Sequence, residues 1–139
     1  MIIKQLTHEQ VISNWNLITE YLNKVLDHSQ GESTLTDYLR KILNNYAQCW
    51  AVLDENNQIK GVGLTEFLQY AQHTTLHIIA FSGNNFEEQS KVFPTVEEFA
   101  KANGCKAIEQ WGRPGWAKVL PQYVPGFKQA YVVMRKDLE

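Results

Sequence analysis

Glu109 lies in the stretch "CKAIEQW", where it alternates with Ala107 and Trp111. Every second side chain of a strand shares a face, so this carboxylate stands among apolar neighbours. Burial of an unpaired carboxylate is costly and lifts its pKa towards the range of a general base. Pairing with a Lys or Arg, or exposure at a sheet edge, would satisfy it equally well. The chain then enters "GRPGW", residues 112–116. Pro114 suits the start of a helix, and Gly112 and Gly115 allow the backbone to bend. On such a turn Arg113 can hold an anionic group through its fork of N–H donors, and Trp116 can wall a pocket. A surface ion pair for Arg113 and core packing for Trp116 are the competing roles.

Other reactive side chains carry less. His73 and His77 are four apart, which on a strand is about 13 Å, too far to share a metal. His77 alternates with Thr75, Ile79 and Phe81, the setting of a hydrogen-bonded core histidine more than a catalytic one. Cys49 and Cys105 stand alone, with no Cys or His spacing for a metal, and read as two reduced, partly buried thiols.

The totals narrow the class. The 139 residues, 44% apolar and 20% charged, suit one domain over 1–139 with one core. A formal charge of −2 with no Lys/Arg stripe gives no electrostatic support for nucleic-acid binding. The apolar runs are too short to span a bilayer. "MIIKQLTHEQ" lacks the apolar core and cleavage site of a signal peptide, so a cytoplasmic protein is expected.

The elements that would position these residues follow from period and punctuation. "MIIKQL" reads as a strand. Thr7 and Gln10 form a capping box, and Val11, Trp15, Ile18, Leu22 and Val25 then mark one helical stripe of about five turns. Gly31 breaks it, and Thr34 opens a second helix with Leu35, Tyr38, Leu39, Ile42, Leu43 and Tyr46 inward. "CWAVLD" and "IKGVGLTEFLQY" are strands around the turn "DENNQ". "TTLHIIAF" is apolar on both faces and belongs inside the sheet. Asn85 and Glu88 can cap a helix that Pro94 must kink or split. Gly104 ends it, "CKAIEQW" is the next strand, Trp116 to Tyr123 form a short helix, and "KQAYVVMRKDL" is a last strand. A strand–helix–strand unit implies a parallel pair and the hairpin implies antiparallel pairing. The fold class is therefore α+β, a mixed sheet with helices on its faces, in the order β-α-α-β-β-β-α-β-α-β.

That order, with Gly126–Phe127 between the short helix and the last strand, resembles the GNAT acyltransferase family over essentially the whole chain. "RPGWAKVL...Y..GF" also resembles small GNAT-like proteins of tailed phages and prophages. The resemblance implies a splayed parallel pair, "TTLHIIAF" and "CKAIEQW", with the acyl-CoA arm in the gap. It implies acetyl-CoA held by the backbone of Ile79, Ala80, Phe81, Ser82 and Gly83, with Asn84 and Asn85 under the pyrophosphate. Glu109 or Glu66 would be the base, Tyr123 the acid, and Arg113, Trp116 and Trp111 would bind substrate, a small amine or a protein amino group. No metal is implied.

The stretch departs from the family pattern at three places. "FSGNNFEEQSKVF" has no second glycine at the family's spacing and no Arg or Lys near the start of its helix, while Glu87 and Glu88 put negative charge in the first turn. "SGNN" is therefore either a phosphate cradle or a self-capped loop. The family's tyrosine position holds Gln122 or Pro121, with Tyr123 out of step. These departures support a second expectation: a GNAT-like module without catalysis, working in binding or assembly with a phage protein partner or as a homo-oligomer, in a virion if the phage resemblance holds. Its surface would be the aromatic patch of Trp111, Trp116 and Tyr123.

Overall fold

The computed structural model describes residues 1–138. Strand β1 (Ile2–Gln5) leads into helix α1 (His8–Ser13). Thr7 accepts a hydrogen bond from the Gln10 amide and the Gln10 side chain accepts from the Thr7 amide, so the expected capping box is present. The single long helix does not form. Asn14 turns its amide back to the Gln10 carbonyl at 2.8 Å and separates α1 from α2 (Trp15–Leu26). Helix α3 (Leu35–Leu43) opens on a second box between Thr34 and Asp37.

Strands β2 (Gln48–Leu53), β3 (Ile59–Gln69), β4 (Thr74–Gly83) and β5 (Cys105–Gln110) join β1 in one sheet of order β1-β2-β3-β4-β5. The first three pairings are antiparallel and β4–β5 is parallel, the mixed α+β sheet expected. The helix around Pro94 is split: α4 (Phe86–Gln89), a 3-10 turn (Ser90–Val92), then α5 (Phe93–Ala102), with proline in the first turn where its missing N–H costs nothing. Helix α6 (Gly115–Tyr123) follows β5.

Helices α1 to α3 cover one face of the sheet. Ile18, Leu22 and Ile42 pack there on Cys49, Leu64 and Ala80. Helix α5 covers the other face through Val96 and Ala100 against Leu76. One buried polar chain crosses β2 and β3: Trp50 Nε1 donates to Thr65 Oγ1 at 2.9 Å, and Thr65 Oγ1 donates to Gln48 Oε1 at 2.7 Å.

The last expected strand is not in the sheet. Residues 128–138 carry no ladder bond, and Tyr131, Val133 and Met134 are 84%, 81% and 87% exposed. A strand needs an edge to pair with, and among the described residues these pair with none. Among the described residues no helix is long and apolar enough to cross a membrane.

Candidate active site

The sheet forks between β4 and β5. Their pairing runs from Thr74–Cys105 to His77–Glu109 and Ile78–Gln110 and stops there. Strand β4 continues to Gly83 while still paired to β3. β5 ends, and the chain turns away through Trp111 and "GRPG". A bulge sits at this point. Leu64 pairs with Ala80 and Thr65 with Ile78, leaving Ile79 as the extra residue. A bulge bends its strand and increases the local twist, so the fork has a local cause. Beyond it, Ala80 to Gly83 pair with β3 on one side only.

An apolar cavity of about 60 Å³ lies at the fork on the α5 side. Ile78, Ala80, Phe81, Val96, Trp116 and Leu120 are among its walls. Two buried amide oxygens in its lining, Gln89 Oε1 and Gln110 Oε1, have no hydrogen-bond partner. An orphaned buried acceptor costs about 1–3 kcal/mol, so the lining of this small apolar cavity carries two carbonyl oxygens that lack a donor. Phe86 is also in its lining, with its ring 5.1 Å from Trp116 and 6.1 Å from Tyr123. Trp116 is thus both a cavity wall and a packing partner. Tyr123 is half-buried against Phe86.

A polar row occupies the opposite face of the same fork. Lys41 Nζ from α3 donates to Glu66 Oε1 at 2.9 Å, and Glu66 Oε2 lies 2.9 Å from His77 Nδ1. The His77 bond, followed by Lys41, holds the Glu66 carboxyl below the usual range against the opposing effect of burial. An ionised Glu66 can only accept, so Nδ1 carries the hydrogen of this bond, and a neutral imidazole held this way has its lone pair on Nε2. The Trp111 ring lies 4.2 Å over the imidazole. Glu109, next to His77 across the ladder, is half-exposed. Its Oε2 accepts from Tyr70 OH at 3.1 Å and from Trp111 Nε1 at 3.2 Å. Lost hydration, and then the Glu109 carboxylate, push the Tyr70 hydroxyl up.

The fork thus brings Glu66, Glu109 and Trp111 together on one face, and Ile78, Phe81 and Trp116 on the other. His77, expected to be a hydrogen-bonded core histidine, is buried and hydrogen-bonded, with the Glu66 carboxylate as its partner. Lys41 was not among the sequence candidates. Its pairing with Glu66 spans 25 residues, which no local pattern reveals. Arg113 is exposed on the turn and makes no ion pair among the described residues. Ser82, Gly83, Asn84 and Asn85 form the loop side of the gap. Asn85 caps α4 by accepting from the Glu88 amide at 3.2 Å. A Cβ on Gly83 would lie 1.7 Å from Gln89 Oε1.

The forked pair, the helices on both faces and the element order decide the fold when set beside known structures. A tetramutant of a Bacillus halodurans protein superposes with a TM-score of 0.76 at 13% identity, covering 99% of this chain and 100% of the other. An aminoglycoside acetyltransferase from an uncultured soil metagenomic sample, in complex with sisomicin, gives 0.70 at 18% identity, covering 99% and 95%. Glucosamine-6-phosphate N-acetyltransferase from Arabidopsis thaliana gives 0.67 at 14% identity, covering 99% and 97%. This is the GNAT acetyltransferase fold. No family model and no curated protein matches the sequence. In the GNAT fold of this chain, β4 and β5 are the splayed pair. Among the described residues no group of three or more His, Cys, Asp or Glu is placed to hold a metal.

Proposed function

We propose that the chain transfers an acyl group from an acyl-CoA to an amine at the β4–β5 fork. The observation that carries this reading is that His77, bonded to Glu66 of β3, lies one residue before the last β4–β5 pair, where the strands part. Bound there, an acyl-CoA supplies the acyl group as an activated thioester. The chemistry of the cavity lining suits its arm: the walls are apolar, and Gln89 and Gln110 carry carbonyl oxygens without donors. The free backbone edge of Ala80 to Gly83 offers more. The phosphate end fits less well, because Glu87 and Glu88 lie in the first turn of α4 and Lys91 is taken up by Glu88 at 3.0 Å. Arg113, on the turn after β5 and without an ion pair among the described residues, is a candidate cation for it.

In this reading His77 Nε2 accepts the proton of the amine. Glu66 fixes its tautomer and stabilises the imidazolium that results, and Lys41 holds Glu66 in place. Glu109, between two donors, seats the ammonium form of the acceptor, and Trp111 lies over the site. A primary amine that reaches the imidazole must therefore pass Trp111. Tyr123, beside Phe86, is the candidate to return a proton to the leaving sulfur.

The test is thiol release from acetyl-CoA with a panel of primary amines. His77→Gln should lower kcat by about 10²–10⁴-fold while KM for acetyl-CoA stays within error. Unchanged kcat in that variant would remove His77 from the reaction. The Phe86–Trp116 contact in the cavity lining favours one other reading, a GNAT-like binding or assembly module, phage-encoded or otherwise, without catalysis. Absence of thiol release with every amine would favour it.

A further inference from the structure

We propose that Glu109, Tyr70 and the open face of Trp111 hold an alkylammonium group, the second nitrogen of a short aliphatic diamine. The carboxylate is set for a cation that this chain does not supply. Glu109 is half-exposed and forms no ion pair among the described residues. Its two donors, Tyr70 OH at 3.1 Å and Trp111 Nε1 at 3.2 Å, both bind Oε2. Both donors are neutral, so they fix the carboxylate and leave its charge in place. Oε1 makes no hydrogen bond among the described residues and is open to solvent.

The rings beside it suit the same ligand. Trp111 is 59% exposed and Tyr70 37%. One face of the indole lies on the His77 imidazole, with centroids 4.2 Å apart, and the other faces outwards. The face of an aromatic ring attracts a cation within about 6 Å of its centroid, and that of tryptophan does so best. Among the described residues the one cation over a ring is Lys24 on Tyr21, so the chain leaves the Trp111 face unoccupied. A carboxylate next to an open indole selects an ammonium on an apolar stem over an anion or a bare metal ion.

The second nitrogen follows from the neighbouring imidazole. His77 and Glu109 are partners across the β4–β5 ladder, so their side chains rise on one face. One nitrogen cannot serve both. A carboxylate favours the charged form of an amine, whereas attack on an acyl group requires that the amine give up a proton, here to His77. The nitrogen held by Glu109 therefore stays protonated, and another one reacts. A cation within about 6 Å of the Trp111 centroid, across the 4.2 Å stack, lies at most about 10 Å from the imidazole. A chain of a few methylene groups spans that gap. The role of the reacting nitrogen rests on the acyl-transfer reading; the cation site does not.

Titration of cadaverine into the full chain, without an acyl donor, tests the site by calorimetry and by the Trp111 indole N–H resonance. Cadaverine should bind and shift that resonance. Glu109→Gln keeps an oxygen for Tyr70 and Trp111 but removes the charge, and should weaken binding at least tenfold, as should Trp111→Leu. Circular dichroism of both variants should retain the wild-type spectrum, since both side chains reach the surface. Thiol release from acetyl-CoA reads the second nitrogen. Wild-type kcat/KM should be at least tenfold higher for cadaverine than for pentylamine, and Glu109→Gln should abolish that preference. No binding at millimolar cadaverine, or binding indifferent to both variants, would overturn the site. Equal kcat/KM for the two amines would overturn the second nitrogen. Binding that both variants weaken, with no thiol release from any amine, would uphold the cation site and refute the acyl-transfer reading instead.

Discussion

Gly83 is predicted to tolerate no side chain while Gln89 is present, and to tolerate alanine once Gln89 is gone. A Cβ there would stand 1.7 Å from Gln89 Oε1 and 2.7 Å from its Cδ, well inside van der Waals contact. The glutamine cannot simply swing outwards. It is 3% exposed, and its Nε2 donates to the Lys60 carbonyl at 2.8 Å. Gly83→Ala therefore breaks that bond and displaces a buried amide, at a cost of about 1–2 kcal/mol. For a chain of this size that lowers Tm by roughly 3–7 °C. Gln89→Ala loses the same bond and costs a similar amount. The double variant gains a methyl group in the vacated space, so its stability should equal that of Gln89→Ala alone. The expected coupling is then about 1–2 kcal/mol, well above the error of additive sites. Urea unfolding of the four proteins measures it. Additive losses, or a neutral Gly83→Ala, would refute the claim that Gln89 fills the space beside the loop.

Glu66→Gln should cost about 2 kcal/mol at neutral pH through loss of the charged bonds to His77 and Lys41. Because folding depresses the Glu66 pKa below its ordinary 4.5, that contribution is full above the ordinary value. It fades as pH falls through the lower folded one, so the Tm gap between wild type and variant should close in acid. Thr65→Val should cost about 2–4 kcal/mol, because it leaves the Trp50 N–H and the Gln48 oxygen unpaired in the core; thermal unfolding reads this directly. Burial pushes the Cys49 thiol up to about 12, so a thiol reagent at pH 8 should label only Cys105 in the native protein. Both cysteines should react once the chain is unfolded.

The helix starts were legible because their signals are local. Thr7 with Gln10, Thr34 with Asp37, and Asn85 ahead of Glu88 each state a cap within three residues. Pro94 announced the split of its helix in the same way. The break at Asn14 was hidden, since the apolar stripe runs through it and only the asparagine side chain marks it. The parallel pair followed from element order and the fork from the family resemblance, but the bulge at Ile79 did not. Bulge position depends on pairing register, which the alternation of one strand does not reveal. The Lys41–Glu66–His77 row depends on that register and on the docking of α3, so the sequence showed a buried, hydrogen-bonded His77 without its partners. The last strand fails for a related reason: "KQAYVVMRKDL" has the propensity, and propensity says nothing about which edge is free to receive it.

Calorimetric titration with acetyl-CoA tests the central claim most directly. Micromolar binding to the wild type is expected. Leu120→Trp should lose at least tenfold in affinity, because it fills the fork cavity. His77→Gln, on the opposite face, should bind as the wild type does. No binding at millimolar acetyl-CoA, or binding that Leu120→Trp leaves unchanged, would contradict the placement of an acyl donor between β4 and β5.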